Sequence, residues 1–219
     1  MNKALRFVFT ILLGLLISCD REIEESQLDL GYDFQPLEVG LFWLYEVDQT
    51  IHFGENDSEQ TQFFYRDKIR GFYTNEAGEQ VFVVQRDKSF DRIEWSLALA
   101  YTWIKRDFSL VRTVQNQALV TLVFPPTDQV IWNGNVYRDT AMDEFSLENS
   151  GGFVLVNQED SDDEVTYRDI RYEVYEKGVG MVEKYDEVLT YCSRNDCLGD
   201  KLIDSGYKVA MKMIDHGKD

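Results

Sequence analysis

The sequence predicts an all-β domain: a curved antiparallel sheet or half-barrel, with a β-sandwich as second choice. Three observations predict it. Large apolar residues recur at every second position over long stretches, as they do when a strand sends alternate side chains to opposite faces. Polar turn clusters separate these stretches at short intervals. No βαβ alternation and no internal repeat is visible. The clearest alternation runs from Ile93 to Trp103. Ile93, Trp95, Leu97, Leu99, Tyr101 and Trp103 fall on one face, and Glu94, Ser96, Ala98, Ala100 and Thr102 on the other. Tyr207, Val209, Met211 and Met213 alternate in the same way with Lys208, Ala210, Lys212 and Ile214. Further strands are expected at 41–53, 61–73, 80–87, 110–115, 118–124, 131–138, 153–157, 165–176 and 181–191. The breaks fall at Gly54-Glu55-Asn56-Asp57, Asn75-Glu76-Ala77-Gly78, Pro125-Pro126, Asn133-Gly134-Asn135, Ser150-Gly151-Gly152 and Asp204-Ser205-Gly206. A short helix is expected near Thr140–Glu148.

The N-terminus reads differently. Lys3 and Arg6 precede an apolar run from Phe7 to Ile17. That run is shorter than the roughly 20 residues a membrane-spanning helix needs, and it suits the core of a secretory leader. It ends in Leu16-Ile17-Ser18-Cys19, which resembles the lipobox of bacterial lipoproteins. The resemblance implies removal of residues 1–18 and lipidation of Cys19, whose thiol would form a thioether to a diacylglyceryl group. Two or more acyl chains anchor a protein stably. Residues 19–33 are acidic and without core pattern, as in Asp20-Arg21-Glu22-Ile23-Glu24-Glu25-Ser26, and are expected to be a flexible tether. Residues 34–219 are expected to form a single β-rich domain. The expected address is the cell envelope, lipid-anchored and at the outer membrane, on its periplasmic or surface face.

Charge and cysteines narrow the function classes. The chain has 40 acidic against 22 basic residues, a net charge of −18. Such a surface repels phosphate backbones and anionic lipid, so no nucleic-acid partner is expected and the acyl anchor must supply membrane attachment. With Cys19 committed to lipid, Cys192 and Cys197 remain, four polar residues apart. In an exported chain they are expected to form a disulfide. Their spacing is not that of a C-x-x-C redox site, and no His lies nearby to complete a zinc shell. The two histidines, His52 and His216, have no G-x-S-x-G elbow or H-E-x-x-H motif around them. No catalytic residue, metal or cofactor is expected. The run Glu159-Asp160-Ser161-Asp162-Asp163-Glu164 lacks the spacing of a calcium loop and reads as a charged hairpin tip.

Two further patterns carry a resemblance. Pro36-Leu37-Glu38-Val39-Gly40-Leu41-Phe42-Trp43-Leu44-Tyr45 is similar to the P-L-x-x-G-x-x-W-x-Y opening of Bacteroidota envelope lipoproteins. Tyr175-Glu176-Lys177-Gly178-Val179-Gly180-Met181-Val182 resembles a late G-V-G segment of the same proteins. The resemblance implies a curved sheet like the half-barrels that carry lipoproteins or lipids. It implies no activity. The chain is rich in aromatics, with 14 Phe, 12 Tyr and 4 Trp. If a concave face displays them, Trp95, Tyr101 and Trp103 are the candidates to line an apolar ligand. The expected role is non-enzymatic binding of an apolar ligand or an envelope protein. The alternatives are a surface glycan-binding module, a structural or assembly subunit of an outer-membrane complex, and a hydrolase using paired carboxylates.

Overall fold

The computed structural model describes residues 29–55 and 57–219, so the expected leader, Cys19 and the start of the tether lie outside it. A 3₁₀ turn at Tyr32–Phe34 precedes twelve strands: β1 (Leu41–Gly54), β2 (Asp57–Thr74), β3 (Gln80–Ser89), β4 (Ser96–Lys105), β5 (Ser109–Val114), β6 (Gln117–Val123), β7 (Ile131–Asn133), β8 (Glu144–Asn149), β9 (Phe153–Asp162), β10 (Tyr167–Glu176), β11 (Gly180–Tyr191) and β12 (Ile203–Lys218). They make one sheet in the order β6-β5-β4-β3-β2-β1-β12-β11-β10-β9-β8-β7. Every pairing is antiparallel. The expected curved all-β sheet is therefore present, and it curls into a nearly closed barrel.

Two features produce the curl. Strands twist by nature, and bulges interrupt most of the ladders, for example at Leu44/Tyr45, Ile69/Gly71 and Arg171/Tyr172. Each bulge adds a residue to one strand and bends it. The first and last strands, β1 and β12, pair along almost their whole length. The barrel's seam therefore falls in mid-sequence, between β6 and β7. The seam is narrow. Val120 N–H donates to the Gly134 carbonyl at 2.9 Å, and the Trp132 indole N–H donates to the Val120 carbonyl at 2.9 Å.

Several boundaries differ from the sequence expectation: the expected break at Asp204-Ser205-Gly206 lies inside β12, and β9 runs on to Asp162. Residues Glu144–Asn149 form strand β8, not the end of a helix. Phe145 and Leu147 are buried while Glu144, Ser146 and Glu148 are not, which is period 2 and not 3.6. Strand β7 stops at Asn133 because its side-chain oxygen accepts the N–H groups of Asn135 and Asp143 and turns the chain. Strand β4 begins only at Ser96, so Ile93 and Trp95 belong to a loop. The acidic run 159–164 ends the β9–β10 hairpin as expected, and the Asp163 carboxylate accepts N–H groups of Val165, Thr166 and Tyr167.

The barrel interior is one apolar core. Trp43, Tyr45 and Val47 of β1 meet Phe63 and Ile69 of β2, Phe82 and Val84 of β3, Val154 and Val156 of β9, and Met211 of β12. A segment running from Asp29 crosses the end at which β1 starts and plugs it. Phe34 and Gln35 of that segment are buried. Its contacts reach opposite walls: the Asp33 carbonyl accepts Gly178 N–H, and Tyr32 O–H donates to the Asp107 carbonyl. Residues 29–33, expected to end the tether, are held by the barrel.

The Cys192–Cys197 disulfide is formed. It closes a turn in the β11–β12 connection, where Cys192 N–H also donates to the Leu202 carbonyl at 2.7 Å. Cross-linking so short a loop stabilises by about 2 kcal/mol in the chain-entropy model. Replacing both cysteines by serine should lower stability by about that amount in urea unfolding, with the barrel otherwise intact.

Candidate functional site

Alternation sends several charged side chains into the barrel. Asp67 lies on the same face of β2 as Phe63 and Ile69, and Arg86 on the same face of β3 as Phe82 and Val84. They meet in a bidentate ion pair, Arg86 Nε and Nη2 donating to the two Asp67 oxygens at 2.6 and 2.5 Å. Tyr101 O–H on β4 adds a bond to Asp67 at 2.9 Å. Burial opposes the charge on Arg86, but the Asp67 carboxylate overrides it and holds the guanidinium firmly protonated. Burial chiefly, and Asp67 after it, pushes the Tyr101 phenol well above its ordinary value.

A second cluster centres on Glu173 of β10, which is fully buried. It accepts from Arg112 Nη2 at 2.5 Å, from Tyr175 O–H at 2.6 Å and from Lys184 Nζ at 3.3 Å. Lys184 also donates to Asp186 at 3.0 Å. Arg112 stands on β5 and Glu173 on β10, which are not sheet neighbours. Their ion pair crosses the interior and ties the two halves of the sheet on either side of the seam. Burial alone would raise the Glu173 carboxyl, but Arg112 and Lys184 outweigh it and hold the group at about 2. A carboxylate ionised so firmly, with its lone pairs taken by three donors, is a poor general acid or base, since those roles need a pKa near the working pH. The chemistry it supplies is a clamp.

The structure separates the three aromatic residues singled out in the sequence. Tyr101 and Trp103 share the inward face of β4, but water reaches only 8% and 3% of their surfaces. They are packed in the core. Trp95 is elsewhere. It stacks on the Arg66 guanidinium, 4.4 Å from carbon to ring centroid, and Arg66 pairs with Asp87. Asp87 adjoins Arg86 on β3 and so faces outward. The Trp95 ring therefore lies on the outer surface.

That outer region is a built loop. The Asp91 carboxylate accepts the N–H groups of Ile93 and Glu94 at 2.8 and 3.0 Å, and these two bonds draw its pKa down. Ser89 Oγ accepts Arg92 N–H at 2.9 Å. Fixed in this way, the β3–β4 loop displays Phe90 and Ile93 at 65% and 81% exposure, and Leu97 at the start of β4 stands at 66%. A shallow cleft of about 290 Å³ lies beside it, lined by Lys88, Phe90, Asp91, Glu94 and Trp95. A second cleft, of about 300 Å³, lies at the plugged end against Tyr32, Leu37 and Lys105.

Removing the Glu173 charge should strand Arg112 in the core, while Lys184 keeps Asp186. Glu173→Gln should cost about 3–5 kcal/mol, the scale for breaking a buried pair from one side, as read by urea unfolding. The carboxyl binds its proton less readily in the fold than in the unfolded chain. Its contribution is therefore complete above the unfolded value of 4.5 and lost as pH falls toward about 2. A pH series should show the wild-type acid limb flattened in Glu173→Gln.

Scans of this sequence against protein-family models and against curated proteins both find no match.

Proposed function

We propose that this chain is a lipid-anchored envelope protein whose barrel domain is a non-enzymatic binding module, engaging an envelope protein through its outer surface. The observation that carries the reading is the filled barrel. Aromatic and aliphatic side chains pack the interior, and the Arg112–Glu173 pair crosses it, so an acyl chain lying along the axis would have to displace that pair and the core around it. Binding is thereby moved outside. There the β3–β4 loop offers Phe90 and Ile93 on a backbone already fixed by Asp91 and Ser89, with Leu97 at the start of β4. Clustered exposed apolar residues mark interaction surfaces, and a preformed loop loses little entropy on binding. The lipobox Leu16-Ile17-Ser18-Cys19 supports the anchor.

A surface glycan module is the second reading. It is favoured by the half-exposed Trp95 beside Asp91 and Glu94 in one cleft, a pairing of aromatic face and carboxylates suited to a sugar.

Two measurements test these assignments. Cys19→Ser should move the protein from the membrane fraction to the soluble envelope fraction, and retention in the membrane would refute the anchor. In intact envelopes, Ile93→Asp with Leu97→Asp should abolish a stoichiometric cross-link between the β3–β4 loop and its protein partner, whereas Trp95→Ala alone should weaken it little. Loss of glycan binding in Trp95→Ala, with no protein cross-link in wild type, would favour the second reading.

A further inference from the structure

The cleft at the plugged end contains a cation without a carboxylate. Lys105 is the last residue of β4, and its side chain turns toward the plug. Its ammonium donates to the carbonyls of Tyr32 and Gln35 at 2.6 and 2.7 Å. An ammonium has three donors, so one remains. No carboxylate among the described residues lies within ion-pair distance of it. This is unusual in a chain of net charge −18, where the neighbouring Arg106 is already committed to Glu79 through Nε at 2.6 Å and Nη2 at 3.2 Å. Burial draws Lys105 down to about 8, against a weak opposing pull from Asp33.

The walls of the cleft complement that charge. Tyr32, Leu37 and Phe82 give it an apolar side, and Gln80, Arg106 and Asp107 complete it. Its volume, about 300 Å³, is at the lower limit for small-molecule sites. Asp107 at the rim and Glu79 behind Arg106 disfavour a dianion such as phosphate. A single negative charge with a short apolar tail suits all of these features.

We propose that the Lys105 cleft binds a small aliphatic monocarboxylate, its carboxylate taking the free ammonium donor and its tail lying against Leu37, Phe82 and Tyr32. The two bonds from Lys105 to the plug remain in place when the ligand is bound. The site is independent of the partner surface at the β3–β4 loop, which lies at the other end of the barrel, and of the lipid anchor.

Hexanoate is the probe, and 1-hexanol, with the same tail and no charge, is the control. Calorimetry on the intact protein should give hexanoate a Kd at or below about 1 mM, with hexanol at least tenfold weaker, the scale of one charge-assisted hydrogen bond. Lys105→Met should weaken hexanoate about tenfold or more. Because that variant also loses the bonds to the plug, Gln80→Glu provides a second test. It keeps Lys105 and its bonds to the plug and places a carboxylate in the same cleft, which competes for the free ammonium donor and repels the ligand, so it should weaken hexanoate severalfold without affecting hexanol. Equal binding of hexanoate and hexanol would overturn the proposal, as would no hexanoate binding up to about 10 mM. Unchanged hexanoate affinity in Gln80→Glu would also overturn it.

Discussion

The ion pair between Arg112 and Glu173 is the contact on which the barrel's closure turns. A sheet that begins and ends in mid-sequence has its free edges at β6 and β7, and among the described residues one backbone hydrogen bond and one indole bond span them directly. Edges of this kind invite pairing with other chains. A charged bond from β5 to β10 crosses behind the seam and holds the two halves at one distance. Apolar packing alone would draw the walls together without fixing their spacing. The bidentate Arg86–Asp67 pair acts differently, joining adjacent strands within one wall. One cluster fixes local register, and the other fixes the cross-section.

The same logic explains the plug. Trp43 Nε1–H donates to the Val179 carbonyl at 2.7 Å, and Tyr45 O–H donates to the Met181 carbonyl at 3.0 Å. The W-x-Y opening and the late G-V-G segment are thus the two sides of one contact, although 136 residues separate each pair. Gly180, with φ of +116°, has the Trp43 indole nitrogen and the Gln35 amide where a Cβ would stand, about 3 Å away. A side chain there would push the plug outward. Gln35 in turn accepts Met181 N–H at 3.2 Å, so the plug is registered against the same turn. The two patterns that carried the resemblance to envelope lipoproteins therefore have a mechanical role in closing one end of the barrel.

Strands and their faces were legible in the sequence wherever large apolar residues alternated with small or polar ones, as in Tyr207 to Ile214, whose inward set is Val209, Met211 and Met213. The reading failed where alternation continued past the end of a strand. Ile93 and Trp95 keep the period of Tyr101 and Trp103, but Asp91 captures the intervening N–H groups and makes a loop of them. Strand β8 was masked by its charged outward residues, Glu144 and Glu148, which suit a helix surface equally well. The interior charges were missed for a different reason. Asp67, Arg86, Arg112 and Glu173 lie in phase with apolar neighbours, and that phase was the available signal. Their pairing across strands depends on register, which no single strand encodes. The Lys105 cleft needs the plug to exist at all, and the residues up to Asp33, with which the plug begins, were read as tether.

Strand direction then places the surface features relative to one another. The chain enters the described structure at Asp29, where the Asp29 carboxylate pairs with Lys177 at the β10–β11 turn. Strand β4 ends at this same end of the barrel, so Lys105 and its cleft lie beside the incoming chain. The β3–β4 loop, joining the end of β3 to the start of β4, is necessarily at the far end. On the proposed lipid-anchored reading, a partner at Phe90, Ile93 and Leu97 would meet the surface farthest along the barrel from where the anchored segment joins it. The plug is held through Lys105, Gln35 and Asp33 to opposite walls.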